Sequence, residues 1–293
     1  MDNLIAPFLN GTASGALLLV AALGLALTFG QMGVINMAHG EFLLAGALVA
    51  YWTQEVISST NISILVALPI AFVFDGILGV ILEVTVIRWM YDRPLDTLLA
   101  TVGVSLILQQ KVLQEYPQGV PVKNPSLLDG QVSILGYDWP LRQAFTIVVA
   151  LTCVIGLAAW LKYTSFGRRI RATVQNRALA ETLGVSTRNI DRITFFVGSG
   201  LAGVGGVAAS LIGGTNSQLG TKYIILAFLV VVAGGLGQLR GTVIAAWTVG
   251  VVDAFSENWT TGSIGLVITF ALVVVFLQVR PQGLFTVRTR GLA

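Results

Sequence analysis

The chain has 293 residues, of which 55% are hydrophobic and only 11% are charged, and its mean hydropathy is +0.83. One soluble core cannot hide so much apolar surface, so the composition predicts an integral membrane protein. The single cysteine, Cys153, rules out an intrachain disulfide, and the single histidine, His39, cannot form a metal cluster alone. The net charge of +3 is not arranged as a basic stripe interleaved with aromatic residues, which argues against nucleic-acid binding.

Nine apolar segments follow one another along the chain, and none shows the period-two alternation of a membrane β-strand. We therefore expect an all-α bundle of eight or nine transmembrane or re-entrant helices. The segments that begin at Glu41, Tyr223 and Gly241 fall below the about 20 residues of a spanning helix, so we expect them to be broken, re-entrant or buried. The nine segments cover residues 13–30, 41–52, 62–87, 95–110, 142–161, 193–212, 223–235, 241–255 and 263–279.

The basic residues predict the orientation of the bundle. If the crossings alternate, the basic residues at 88–93, 162–192, 240 and 280–290 share one side, which the positive-inside rule makes cytoplasmic. The C-terminus is then cytoplasmic. Nine crossings place the N-terminus outside and eight place it inside, and we favour outside. Residues 1–10 lack a basic region, and the apolar segment that follows has no clear cleavage site, so we interpret this segment as a retained helix.

Glycines and polar residues interrupt the apolar pattern between the first two segments. Gln31, Asn36, His39 and Glu41 lie in this break together with three glycines. Unpaired backbone groups are costly in lipid, so the break must be surrounded by protein or water. Two interpretations remain open: a plain cytoplasmic turn with a solvated histidine, or an unwound element that lines a substrate path.

A polar face is predicted on the helix over residues 95–110. Thr101, Ser105 and Gln109 recur every four residues and therefore lie on one side of that helix. Such a face either lines a path or makes a polar contact with another helix.

Two carboxylates lie inside the long apolar segment 62–87. A charge at this depth is costly unless it is paired or hydrated, so we expect both side chains to face the bundle interior. Glu83 is expected to pair with Arg88 near the membrane surface, whereas Asp75 has no partner nearby in the sequence. Asp75 is therefore either a proton relay or a neutral, protonated acid.

Seven of the 17 lysine and arginine residues lie in residues 162–192, which we call the basic island. Within it, residues 167–183 contain no proline and place Arg177 four residues before Glu181, which predicts one short amphipathic helix. Gly184 suits the left-handed residue that ends a helix, and Ser186 suits the cap of the next helix. The island is either a loop that lies on anionic lipid or a docking helix for a groove of a soluble partner.

Enzyme motifs fail the test of context in this chain. Residues 198–203 match a dinucleotide-binding pattern, but no acidic residue follows at the required distance. The pairs Ser199 with Gly203 and Ala202 with Gly206 instead predict close packing between membrane helices. The sequence has no Walker A loop, nucleophile elbow or H-E-x-x-H motif, so we do not expect the chain itself to be an enzyme.

Four stretches of the chain resemble, in the same order, the signature regions of one family. They are residues 30–51 (GQMGVINMAHGEFLLAGALVAY), 93–110 (RPLDTLLATVGVSLILQQ), 167–190 (GRRIRATVQNRALAETLGVSTRNI) and 280–285 (RPQGLF). The family is that of the membrane permeases of branched-chain amino acid type ABC importers. Within it, residues 30–41, 93–101 and 219–237 look most like the urea permease of the B type, although Ile224 to Ala227 is less polar than in urea members.

The resemblance implies a single permease domain over residues 1–293 in the cytoplasmic (inner) membrane, which translocates urea or a related short amide by alternating access. Its implied partners are a second homologous permease, two cytoplasmic ABC ATPases and an extracytoplasmic substrate-binding protein. ATP and magnesium would bind to the ATPases, and this chain would bind no cofactor or metal. A branched-chain amino acid permease is the alternative. A third hypothesis is an ATP-independent channel or secondary carrier with Asp75 as the proton site.

By similarity, the basic island contains the coupling helix that enters a groove on the ATPase. The resemblance places four residues at the positions of this contact, and two arginines belong to the same element. The six are Arg168, Arg171, Arg177, Ala180, Glu181 and Gly184.

The translocation path has eight candidate residues. Urea is small and neutral, so its path should carry amides and hydroxyls, and the break and the buried carboxylate add further candidates. The eight are Gln31, Asn36, His39, Glu41, Asp75, Thr101, Ser105 and Gln109.

Overall fold

The computed structural model describes residues 2–91, 93–134, 136–260 and 262–285 of the chain. These residues form eleven α-helices, two 3-10 turns (Ile87–Trp89 and Ser126–Leu128) and one two-stranded hairpin. The helices are α1 Asp2–Met32, α2 His39–Val56, α3 Thr60–Thr85, α4 Pro94–Glu115, α5 Leu141–Tyr163, α6 Ser165–Gln175, α7 Arg177–Thr182, α8 Thr187–Gly213, α9 Leu219–Gly234, α10 Leu239–Trp259 and α11 Gly262–Val279. The prediction of a polytopic all-α membrane protein is confirmed.

Four helical stretches are long and apolar enough to cross a membrane, judged by length and composition. They are Leu4–Met32, Thr60–Trp89, Leu141–Tyr163 and Thr187–Gly213. Leu219–Gly234 and Ile264–Val279 are apolar but shorter. The segment predicted to be short at Gly241 belongs to the 21-residue helix α10, because the helix continues through polar residues up to Trp259.

A small hairpin that we did not predict from the sequence lies between α4 and α5. Its strands are β1 Gln131–Ile134 and β2 Tyr137–Pro140, which pair antiparallel with Val132 opposite Trp139. Strands of four residues are too short for their alternation to be distinguished from a loop. Within the described residues, this short hairpin is an addition to an otherwise helical bundle.

The bundle has two ends, which we name the hairpin end, after residues 131–140, and the island end, after the basic island. The side-chain amide of Asn10 donates a hydrogen bond of 3.3 Å to the Tyr137 hydroxyl, so α1 begins at the hairpin end. Gln31, in the last turn of α1, donates a hydrogen bond of 2.9 Å to Asp191 in the island. Helix α1 therefore crosses the whole bundle.

The last described residues lie at the end opposite to the start of α1. The backbone N–H of Leu284 donates to the carbonyl oxygen of Ala233 at 2.8 Å, near the end of α9. The turn between α9 and α10 packs against the last part of α1, since a Cβ on Gly30 would lie 2.4 Å from the Cα of Gly237. The described chain thus passes the bundle an odd number of times, through α1 to α5 and α8 to α11, which agrees with nine crossings.

Helix α2 begins deep within the bundle rather than at its island end. The ring nitrogen Nε2 of His39, the first residue of α2, lies 3.1 Å from the carbonyl oxygen of Ala21. Ala21 precedes Met32, the last residue of α1, by three helical turns, which is about 16 Å. Residues 33–38 therefore turn back into the bundle, and they begin at Gly33 with a φ of +67° that favours glycine.

Helix α9 also begins deep within the bundle, beside the start of α2. A Cβ on Gly220 would lie 2.6 Å from the carbonyl oxygen of Gly40, so the two helix starts are in backbone contact. From this junction α2 runs to the hairpin end, where Gln54 donates a 2.8 Å hydrogen bond to the loop before the hairpin. Helix α9 runs to the island end. The prediction that these two segments are broken or buried is confirmed, since each helix starts inside the bundle and they have only 18 and 16 residues.

Helix α8 packs against α1, α2, α3 and α5, and its small residues let neighbouring helices approach closely. A Cβ on Gly206 would lie 1.9 Å from the carbonyl oxygen of Leu43 on α2. A Cβ on Gly79 of α3 would lie 1.9 Å from the Ser199 hydroxyl oxygen. The predicted packing role of residues 198–206 is confirmed, and this scaffold holds α2 and α3 in fixed positions.

Candidate translocation and coupling sites

The first candidate site is a buried polar cluster around Glu41. Glu41 lies in the first turn of α2 and is 3% exposed. Its Oε1 atom accepts hydrogen bonds of 2.8 Å from the Ser105 hydroxyl and from the Gln109 side-chain amide, both on α4. The same amide group of Gln109 lies 2.8 Å from the Thr221 hydroxyl on α9. Side chains from α2, α4 and α9 thus meet in one buried polar cluster.

Glu41 lies where the N-termini of α2 and α9 meet. A Cβ on Gly220 would lie 2.9 Å from Glu41 Oε1, so the backbone of α9 adjoins the carboxylate. The N-terminus of a helix carries partial positive charge, and two such termini favour a negative group between them. The two helix starts therefore offset part of the cost of burying the Glu41 carboxylate.

Two buried polar groups near this junction have no partner in the described part of the chain. Glu41 Oε2 accepts no hydrogen bond, and neither the nitrogen nor the oxygen of the Asn36 side-chain amide makes one. Asn36 is only 1% exposed. Each unpartnered buried group costs about 1 to 3 kcal/mol, so such a site is retained for a reason other than stability.

The spacing predicted one polar face on α4, and the structure places this face against the break. Thr101 accepts a hydrogen bond of 3.1 Å from the backbone N–H of Met37, and Ser105 and Gln109 continue the same face onto Glu41. The structure thus brings Asn36, Glu41, Thr101, Ser105 and Gln109 to one region of the bundle.

A cleft of about 620 Å³ opens next to this cluster. Gln109 and Thr221 line the cleft and also belong to the cluster, so they connect the two. Leu266 and Phe270 of α11 form apolar wall, and Asn216 and Gln218 add polar groups from the loop before α9. The cleft therefore offers both polar and apolar surface next to the Glu41 cluster.

His39 has a structural environment. It is 1% exposed, contacts the Ala21 carbonyl oxygen through Nε2, and packs edge-on against Phe42 with ring centroids 5.9 Å apart. The interpretation of a plain turn with a solvated histidine is wrong, because the break is folded back into the bundle.

The carboxylates of α3 lie apart from the Glu41 cluster. Asp75 is fully buried, and neither of its oxygens has a partner in the described chain. It packs against α8, where a Cβ on Gly203 would lie 2.1 Å from Asp75 Oδ2. The predicted pair of Glu83 with Arg88 is wrong. Glu83 accepts a 2.7 Å hydrogen bond from Tyr91, and its carboxylate lies 3.7 Å from the guanidinium of Arg192 on α8.

The second candidate site is the basic island, which contains two helices rather than the one predicted over 167–183. Asn176 separates α6 from α7 with an extended backbone, and its side chain accepts a 2.9 Å hydrogen bond from the N–H of Leu179. An asparagine cap of this kind starts a new helix, which the amphipathic pattern did not reveal. Gly184 is left-handed, with a φ of +82°, as predicted. Ser186 precedes α8, but its side chain makes no capping hydrogen bond.

Asp191, a residue we did not single out from the sequence, connects the island to the bundle. It is fully buried and accepts hydrogen bonds of 2.6 and 3.3 Å from the two terminal nitrogens of Arg177. The Gln31 side-chain nitrogen also donates to Asp191, and the Gln31 side-chain oxygen accepts a hydrogen bond from the Thr194 hydroxyl. Gln31 therefore belongs to this site and not to the Glu41 cluster. An acidic residue inside a basic island was the one sequence feature that could have identified it.

Electrostatics reinforce the contact between Arg177 and Asp191. Burial lowers the pKa of the Arg177 guanidinium, but the hydrogen bonds and charge of Asp191 more than offset this effect, so the pKa is raised. Arg177 also lies 3.7 Å from Glu181, as the four-residue spacing predicted. Glu181 in turn accepts a 2.5 Å hydrogen bond from Thr187, the first residue of α8.

The remaining coupling candidates differ in exposure. Ala180 is 3% exposed and therefore contributes little to the accessible surface of the island. Arg168 and Arg171 are exposed on α6, and Arg171 also donates a 2.6 Å hydrogen bond to the Leu161 carbonyl oxygen. Two apolar residues on and just after α7 are accessible: Leu179 is 56% exposed and Leu183 is 75% exposed.

A bundle with two helices that start inside it, a buried polar junction and a basic two-helix loop at one end has the architecture of a polytopic membrane permease. The described residues contain no group of three or more His, Cys, Asp or Glu side chains that could hold a metal ion. The chain belongs to the family of branched-chain amino acid transport system permease components, whose sequence model matches residues 8–277. Members of this family are transport permeases and not enzymes, which confirms the prediction that the chain is not an enzyme.

Three relatives illustrate the match. The high-affinity branched-chain amino acid permease LivH of Salmonella typhimurium is 28% identical over 94% of this chain and 93% of its own length. BraD of Pseudomonas aeruginosa, with the same description, is 26% identical over the same shares. A probable LivH of Methanocaldococcus jannaschii is 25% identical over 92% of this chain and 88% of its own length. No solved structure matches the chain.

Proposed function

We propose that the chain is a permease subunit of an ATP-driven importer of branched-chain amino acids. The observation that carries this proposal is the family match over residues 8–277, with three relatives named for that substrate class along nearly their whole length. Urea, which the sequence motifs suggested, has no support from these three relatives. The branched-chain alternative therefore replaces it as the main hypothesis.

The assembly in this proposal has the composition that the resemblance implied. A second permease subunit completes the membrane pathway, two ABC ATPases bind ATP and magnesium, and an extracytoplasmic protein delivers the substrate. The bundle spans the inner membrane with its island end in the cytoplasm, because seven of the 17 lysine and arginine residues lie in the island. The described residues supply no ATP-binding loop of their own, so the energy must reach this chain through a contact.

The island is the proposed point of that contact. Leu179 and Leu183 are exposed on and just after α7, and Glu181 lies between them with a side chain 53% exposed. Two apolar residues beside a charge suit the groove of a soluble partner. A movement of α7 would reach α1 and α8 together, because Asp191 connects Arg177 to Gln31. A rigid-body shift of packed helices is sufficient for alternating access.

Uptake by the reconstituted assembly tests the proposal. Proteoliposomes that contain the chain, its second permease, both ATPases and the binding protein should accumulate leucine, isoleucine or valine only when ATP is present on the ATPase side. Labelled urea should not accumulate. Urea uptake without amino acid uptake, or leucine uptake that needs no ATP, would contradict the proposed function.

A further inference from the structure

The two carboxylate oxygens of Glu41 differ in their hydrogen bonding. Oε1 accepts hydrogen bonds from Ser105 and Gln109, whereas Oε2 has no partner in the described residues and the side chain is 3% exposed. The partial positive charge of the two helix N-termini explains why a carboxylate is present at this position. It does not explain why the Oε2 atom lacks a hydrogen-bond donor, which a serine or threonine nearby could supply.

The charge at the junction selects the chemistry of the ligand. The starts of α2 and α9 favour negative charge at Glu41, and a carboxylate oxygen without a partner attracts a donor that carries positive charge. A primary ammonium group supplies both the charge and several N–H donors in a compact shape. The unpartnered amide of Asn36, which lies in the same break, can donate to or accept from a polar group beside it.

The neighbouring cleft gives such a ligand a place to arrive and a place for its side chain. Gln109 donates to Glu41 Oε1 and also lines the cleft of about 620 Å³, so this side chain connects the carboxylate to the cleft. Leu266, Phe270 and Ile225 line the cleft with apolar surface. A branched aliphatic side chain can pack there while its ammonium group reaches towards Glu41. The volume is in the range of known small-molecule sites, which is about 300 to 1,000 Å³.

We propose that Glu41 Oε2 binds the ammonium group of the transported amino acid, and that Gln109 connects this subsite to the cleft. The inference rests on the proposed function, because it assumes that the substrate is an amino acid. It identifies the primary ammonium as a substrate feature that this chain recognises.

Equilibrium binding to the assembled transporter tests the subsite. The chain is purified with its second permease and ATPases but without the binding protein, and radiolabelled leucine is displaced by unlabelled leucine or by 2-hydroxy-4-methylpentanoate. The hydroxy acid has the shape of leucine without the ammonium group. We expect the wild-type assembly to prefer leucine, and Glu41→Gln to weaken leucine binding roughly tenfold to a hundredfold and to abolish the preference.

Two further variants keep the test decisive. Asp253→Asn makes the same carboxylate-to-amide change on α10, where Asp253 accepts a 3.0 Å hydrogen bond from Thr269, and should leave leucine binding unchanged. Glu41→Asp keeps a carboxylate and should keep the preference for leucine at reduced affinity, even if Glu41→Gln fails to assemble. A Glu41→Gln assembly with wild-type affinity and preference, or a Glu41→Asp assembly without the preference, would overturn the subsite. Either result leaves leucine uptake by the wild type intact, so it is distinct from a failure of the proposed function.

Discussion

The carboxylate of Asp191 on α8 accepts hydrogen bonds of 2.6 and 3.3 Å from the guanidinium of Arg177 at the start of α7. The same carboxylate accepts a 2.9 Å hydrogen bond from Gln31 at the end of α1. One fully buried side chain therefore joins the basic island to two helices that cross the bundle. Under the proposed function, the contact transmits a movement of α7 to the membrane helices.

Asp191→Asn should weaken both the fold and the coupling. The loss of the charge should cost about 1 to 3 kcal/mol and not the 3 to 5 of a fully buried pair, because Arg177 is 41% exposed. Uptake per ATP hydrolysed should fall, since α7 would move without α1. Thermal unfolding of the purified assembly and the ratio of uptake to ATP hydrolysis measure these two effects.

The exposed pair of Lys111 and Glu115 provides the matched control for Asp191→Asn. Its side chains lie 2.7 Å apart but are 65% and 58% exposed, so Glu115→Gln should change stability by less than about 1 kcal/mol. An unchanged uptake ratio in Asp191→Asn would show that the contact does not transmit movement.

Glu181→Arg should reduce substrate-stimulated ATP hydrolysis several-fold while the chain still inserts into the membrane with its partners. The new arginine would face Arg177 and lose the bond from Thr187, and it would reverse the charge between the exposed Leu179 and Leu183. Glu181→Gln keeps a hydrogen-bond acceptor for Thr187 and should retain most of the activity. ATPase assays on assemblies matched for subunit content distinguish the two variants, and equal rates would exclude a coupling role for Glu181.

Much of the fold could be predicted from the sequence because lipid imposes simple rules. Apolar length located the helices, basic residues marked the island end, and the small residues at Ser199 and Gly203 predicted close packing around α8. The hairpin and the break at Asn176 were missed, because four-residue strands and a single capping side chain leave little pattern in the sequence. Helix α10 was predicted too short because polar residues near its end lower the apolar content.

Side-chain partners were harder to predict than helices. Spacing placed Thr101, Ser105 and Gln109 on one face, and the structure shows this face against the break. Spacing alone could not show that the break folds back by three turns, which separates Gln31 from Glu41. Likewise, Glu83 pairs with Arg192, more than 100 residues later, and not with its neighbour Arg88, because helices α3 and α8 meet at that depth.

Asp75→Asn should leave amino acid uptake close to the wild-type rate. Asp75 is fully buried against Gly203 and lies outside the Glu41 cluster, so an ATP-driven permease has no need of its proton. The substitution keeps the volume and removes a group that is costly to ionise at this depth, so stability should be unchanged or increase by about 1 kcal/mol. Uptake across a range of pH measures the role of Asp75. Abolished uptake together with a lost pH dependence would favour a proton-driven carrier.

Gly203→Ala should destabilise the bundle by driving α3 away from α8. The added Cβ would lie 2.1 Å from Asp75 Oδ2 and 2.8 Å from the Ala71 carbonyl oxygen, and the backbone of α3 cannot yield as a flexible side chain would. Overpacking of this kind costs about 1 to 3 kcal/mol. Gly156→Ala is the matched control, because Gly156 lies in α5 with nothing within 4 Å of the new Cβ, and alanine should stabilise the helix by up to about 1 kcal/mol. The thermal midpoint in detergent should therefore fall for Gly203→Ala and stay level or rise for Gly156→Ala. Equal midpoints would mean that α3 and α8 do not pack as closely as Gly203 and Asp75 indicate.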